Sequence, residues 1–191
     1  MRRGDCLRRR FLSYASLLVA PSSALKGECL MRDYFAELFV AGRFAEAGWN
    51  VYFPHRDEGF DFVVAKDVGR GHQLIRPVQV KGKYPTEGKT NKPTYGYVGG
   101  LTQIHPEMVL AIPFFPIASQ DVPSCVAYLP WSLIRRHSKG YRCQPATFKD
   151  GVPLPRRDHR RFFDDEGLAL VEQGDWSATM ISRPASNASA G

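Results

Sequence analysis

The chain has 191 residues, of which 43% are hydrophobic and 24% charged, and its formal net charge is +7. That length suits one domain with a sizeable core plus tails. The composition is that of an ordinary soluble globular protein, and no apolar run approaches the roughly 18–20 residues a membrane-spanning helix needs.

The positive charge is unevenly placed. Residues 1–30 carry Arg2, Arg3, Arg8, Arg9, Arg10 and Lys26 against Asp5 and Glu28, which leaves only +3 of the +7 for the remainder. A basic isoelectric point therefore says less about the folded body than its size suggests. Cys6, Cys29, Cys125 and Cys143 form no CxxC pair and have no histidine at zinc spacing. They read as reduced structural thiols of a cytoplasmic protein.

Taken in order, residues 1–30 have a basic start, an apolar middle from Phe11 to Ala20 and a small-residue exit near Ala24, the outline of a secretory signal. The body lacks the disulfide framework of an exported domain. Residues 1–30 are therefore expected to be a disordered arm, a leader or a non-native start, with Met31 opening the patterned chain. From Leu30 to Ala47 the spacing predicts a helix. At about 100° per residue, Leu30, Tyr34, Leu38, Ala41, Phe44 and Ala45 fall on one side together with Glu37. A carboxylate inside an apolar stripe is costly unless it is paired, hydrogen-bonded or metal-bound. Gly48 follows as a helix-ending residue.

Trp49–Pro54 predicts a first strand, Phe60–Ala65 a second and Gln73–Lys81 a third, with a glycine-bearing turn at 66–72 between the last two. Pro77 points to an edge position or a bulge early in the third strand. In a strand, residues two apart share a face. Gln79 and Lys81 thus project together, Val78 and Val80 face the core, and Asp61 leaves the second strand opposite Phe60 and Phe62. If the strands pair, one carboxylate, one amide and one ammonium converge as an active site would require.

Residues 82–107 read as a long loop with at most a short helix or extended piece near 95–102. Lys83, Lys89 and Lys92, interleaved with Tyr84, Tyr95 and Tyr97, suit a phosphate backbone and stacked bases, and equally a solvated surface loop. Met108–Phe115 is a strand buried on both faces, and Cys125–Leu129 is another. Trp131–His137 predicts a short helix, and Leu168–Val171 a second one. The expected organisation is a core over 31–139, a C-terminal extension over 140–183 and a disordered tail over 184–191.

The ordered set is a helix with Glu37, a strand with Asp61, a strand with Gln79-Val80-Lys81, and two further strands. It resembles the PD-(D/E)XK nuclease superfamily, in the variant with a Gln-x-Lys motif and an upstream helical Glu. It is similar in this to Holliday-junction resolvases and intron-encoded homing endonucleases, over residues 36–82 and more loosely to about 130. The resemblance implies an α/β, restriction-endonuclease-like fold. Its mixed central sheet would have about five strands in α-β-β-β-(α)-β-β order, flanked by helices. It implies an Mg-dependent endodeoxyribonuclease that hydrolyses phosphodiester bonds in DNA, and it leaves a homodimer open, since many relatives act as dimers.

In that scheme Mg²⁺ or Mn²⁺ takes oxygen ligands from Glu37, Asp61, Gln79 and the Val80 carbonyl, and Lys81 orients the attacking water. Asp57 and Glu58 compete with Asp61 for the metal role, but Asp61 is preferred because it lies among apolar strand residues. Two acidic side chains in place of three imply weak metal affinity. The alternative is a catalytically weak or inactive nucleic-acid-binding module on the same fold. No serine, cysteine or P-loop signature offers another chemistry.

Overall fold

A computed structural model describes residues 22–56, 59–85, 97–101, 103–118 and 122–176, with backbone alone for 22–31 and 97–99. Asp57, Glu58, Lys89, Lys92, Tyr95 and the expected tail over 184–191 lie outside the described residues. The architecture is mixed α/β. A five-stranded sheet runs in the order β1 (Asn50–Tyr52), β2 (Phe62–Asp67), β3 (Gln73–Val80), β5 (Val109–Phe114), β6 (Cys125–Pro130). Only the β3–β5 pair is parallel. The intervening β4 (Tyr97–Gly99) belongs to a separate three-stranded sheet with β7 (Arg135–His137) and β8 (Gly140–Arg142), and β9 (Ala146–Lys149) pairs with β10 (Val152–Pro155). No helix among the described residues is long and apolar enough to cross a membrane.

Helix α1 spans Ser22–Glu46, so it begins eight residues before the expected Leu30 and takes in part of the segment expected to be an arm. Ser22, Ala24, Leu25, Lys26 and Glu28 are compatible with helix, and only Gly27 opposes it. The helix stops where expected. Gly48 adopts φ +82°, its N–H bonds Ala45 O at 3.0 Å, and Trp49 N–H bonds Phe44 O at 3.0 Å. This is the double bond of a Schellman ending, closed by edge-on packing of Trp49 on Phe44.

The buried row of α1 is Ala36, Val40, Ala41 and Phe44, whereas Tyr34, Leu38 and Ala45 are exposed. The stripe expected from sequence is thus rotated. Apolar residues surround this helix, so period alone could not choose the packed row. Contact with Phe62 and Tyr128 through Phe44 does. Burial of a side chain like Phe44 contributes roughly 1.5–3 kcal/mol.

Strands β5 and β6 are buried at every position and form the floor of the core. Pro77 sits in the part of β3 whose only partner strand is β2, because pairing with β5 begins at Val78. The expected helix over 131–137 is absent. Trp131–Leu133 makes a single 3₁₀ turn, and Arg135–His137 then forms β7. The β-branched Ile134 and the turn before Gly140 (φ +128°) favour a hairpin over a helix.

The segment beyond residue 139 packs into the same core. Phe148 and Phe163 contact Phe114, Phe163 bridges to Ala127, and the Trp176 indole donates to Met108 O at 2.9 Å. Helix α2 (Asp164–Val171) contains the expected Leu168–Val171 helix and extends it toward the N-terminus. Buried Arg76 on β3 clamps its end, donating to Val171 O at 3.3 Å and Gln173 O at 2.8 Å while paired with Glu107. Lys66 on β2 bonds the residue that follows each helix, Ala47 O at 2.9 Å and Glu172 at 2.5 Å.

Candidate active site

The site forms where β3 loses β2 as a neighbour. Asp61 immediately precedes β2, and its N–H bonds Val78 O at 2.9 Å, which fixes its backbone against β3. Two residues further along β3, the Val80 N–H has no β2 carbonyl opposite it. The Asp61 carboxylate takes that place: Oδ2 accepts from Val80 N–H at 2.5 Å and from the Gln79 amide Nε2 at 2.7 Å. Gln79 is itself buried. The structure therefore brings together the carboxylate and the amide that period-2 alternation placed on one face. As placed, the amide offers Asp61 its N–H, so Oε1 is the Gln79 atom that remains for a cation.

Beyond Val80, β3 continues beside β5 without regular strand geometry. Lys81 N–H bonds Ala111 O, Lys83 N–H bonds Pro113 O and Phe115 N–H bonds Lys83 O, each at 2.9 Å. Lys81 and Lys83 are thereby held two residues apart on one extended backbone. Gly82 between them lies under α1. A Cβ there would sit 3.4 Å from Ala36 Cβ and 3.1 Å from the Tyr84 ring, so a glycine admits the close crossing of helix over strand.

A depression of about 150 Å³ opens at this crossing, lined by Asp33, Glu37, Val80, Lys81, Gly82 and Lys83. It joins Glu37, Val80 and Lys81 of the expected set. Asp61 and Gln79 do not line it but adjoin it through the Val80 N–H. Lys83, expected in a DNA-binding loop, belongs to the wall of the depression instead, and its ammonium pKa is lowered by burial and by neighbouring Lys81.

Asp33 was not anticipated. It lies one turn before Glu37, and an i, i+4 pair of acids on one helix face was its available signal. Tyr84 lies beside Gly82, stacked on Phe115 at 4.4 Å with Arg32 over its ring.

Among the described residues, no three His, Cys, Asp or Glu side chains gather closely enough to hold a metal ion. From the described residues a cation here would have at most two carboxylates, supplemented by amide and carbonyl oxygens. Such hard oxygen donors fit Mg²⁺ or Mn²⁺ better than zinc. Cys125 and Cys143 are buried, and burial pushes both thiols up to about 12, which leaves neither as a nucleophile. Comparison with family profiles, with curated proteins and with solved structures returned no match for this chain.

Proposed function

We propose that the chain is a metal-dependent DNA endonuclease with a restriction-endonuclease-like core, of the PD-(D/E)XK type with a Gln-x-Lys third motif. The observation that carries the reading is the Asp61 carboxylate bonded to Gln79 and to the Val80 N–H, beside a depression lined by Glu37, Val80 and Lys81. Carboxylate and amide oxygens can hold a divalent cation, and a lysine beside them can offset the charge that grows on phosphate oxygens during phosphodiester hydrolysis.

Asp61, Glu37, Gln79 Oε1 and the Val80 carbonyl would hold Mg²⁺ or Mn²⁺. When bound, the ion supplies Lewis-acid polarisation of a phosphate oxygen and a more acidic water. Lys81 positions the attacking water and offsets negative charge growing on the phosphoryl oxygens. Lys83 adds a second cation to the same wall, and its ammonium pKa is lowered first by burial and then by the like charge of Lys81, both of which a bound polyanion would offset.

The second reading is a binding module of the same fold without turnover. The Gln79 amide N–H bonded to Asp61 favours it, because the carboxylate then serves as a structural cap.

The test is plasmid and branched-DNA cleavage in millimolar Mg²⁺ or Mn²⁺ by wild type, Asp61→Ala and Lys81→Ala. Cleavage by wild type and a fall of at least ~100-fold in both variants is expected. Cleavage that survives both substitutions sinks the assignment, and DNA binding without cleavage selects the second reading.

A further inference from the structure

A basic surface among the described residues that the site does not use is the hairpin β7–β8. Residues 122–149 contain no Asp or Glu, yet they carry Arg135, Arg136, Lys139, Arg142 and Lys149. The hairpin register sets Arg135 directly opposite Arg142 and Arg136 opposite Tyr141. Like charges facing each other across an antiparallel pair destabilise it. No ion pair among the described residues relieves Arg135, Arg136 or Arg142, and all three are exposed. The fold therefore carries an electrostatic cost here that a bound polyanion would remove.

The hairpin also shows what kind of polyanion fits. Its apolar member, Tyr141, packs edge-on against Trp131 at 5.5 Å rather than facing outward, so the ribbon offers no exposed apolar anchor of the sort that membrane insertion or a protein interface uses. Three of its four cations are arginines, whose guanidinium forks match phosphate oxygens. A two-stranded ribbon is also a shape that the major groove of B-DNA, about 12 Å wide, admits. The chain that leaves the candidate site through Lys83 and Tyr84 returns as β4, and β4 pairs with β8. The ribbon is thus the neighbour strand of the segment that continues the site.

We infer that the β7–β8 hairpin is a duplex-DNA contact, with Arg135, Arg136 and Arg142 neutralising backbone phosphates. The inference rests on the nuclease reading for the identity of the polyanion.

Its test is equilibrium binding of the full chain to a fluorescent DNA duplex in EDTA, across a salt series. Arg135→Gln/Arg136→Gln/Arg142→Gln is compared with Arg70→Gln/Arg157→Gln/Arg160→Gln, which removes equal charge elsewhere on the surface. The hairpin variant should bind at least ~10-fold more weakly in low salt, with a slope of log K against log salt shallower by about 2–3, at an unchanged or raised melting temperature. The control variant should lose much less. Equal losses in both variants, or wild-type affinity in the hairpin variant, overturn the inference, as does polyglutamate binding as tight as DNA binding.

A lowered melting temperature is answered by Arg→Lys at the same three positions, which must restore the salt slope. Because EDTA removes the metal, these outcomes stand apart from cleavage. Failure of the nuclease reading appears as DNA binding without turnover.

Discussion

The Asp61 carboxylate accepts two hydrogen bonds, from a strand N–H and from a buried amide, and a substitution can separate this role from its charge. Asp61→Ala leaves both donors without an acceptor and should cost about 1–3 kcal/mol in a denaturant titration. Asp61→Asn keeps an acceptor oxygen in the same place. It should retain most of that stability while losing cleavage as fully as the alanine variant. An asparagine variant that cleaves like wild type would show that the negative charge plays no part. Asp61 and Gln79 were legible in the sequence because polar residues in apolar strands betray a shared face at period 2. Asp33 was not, since an acid one turn from Glu37 still reads as part of a solvated helix face until Gly82 brings β3 beneath it. Lys83 was misplaced because glycine and proline around it suggested a loop, and only its backbone bonds to β5 reveal an extended edge.

At the scale of elements, the apolar runs matched β5 and β6 almost residue for residue, because runs this short, bounded by prolines and rich in β-branched and aromatic residues, favour a buried strand over a helix. Short elements were harder. Trp131–His137 has helix-compatible residues, and what makes it a ribbon is pairing with Gly140–Arg142, which no local pattern reports. Arg76 shows a related effect. In sequence it interrupts an apolar strand, yet it is buried because α2 presents carbonyls to it and Glu107 balances its charge. Arg76→Met should therefore lower stability by about 3 kcal/mol or more, as Val171 O, Gln173 O and Glu107 lose their partner together. The measurement is the urea midpoint. A shift below about 0.5 kcal/mol would mean that α2 is held by its apolar face alone.

Across the whole molecule, the residues after 139 close one side of a continuous core rather than standing apart, and a buried histidine among them links stability to acidity. His159 is buried beside Phe162, and its Nδ1 lies 3.1 Å from Asp158 Oδ1. Burial lowers its pKa below the ordinary 6.5, and Asp158 opposes that shift only in part. A lowered pKa means that the unfolded chain binds the proton more readily. The stabilisation is present in full above the unfolded value of 6.5 and is lost as pH falls toward the folded value. Melting temperature should decline between pH 7 and pH 5 in wild type and decline less in His159→Phe, read by calorimetry. Equal slopes would remove His159 from the account. The mixed sheet itself was readable from the order of apolar runs. The C-terminal packing was not, because it depends on aromatic contacts such as Phe114 with Phe148 and Phe163 that span the chain.

Strand β3 meets its partners at very different distances along the chain. Its pairing with β2 closes through a turn of a few residues, whereas the Arg76 clamp waits for residues 171–173. Local pairings form early and distant ones late, since loop closure must precede the contacts that reward it. The carboxylate and amide of the candidate site would then be assembled in the folding nucleus, and the C-terminal segment would dock afterwards. In stopped-flow experiments Val78→Ala should slow refolding, whereas Trp176→Phe should mainly speed unfolding. The reverse partition would place the docking of the C-terminal segment first.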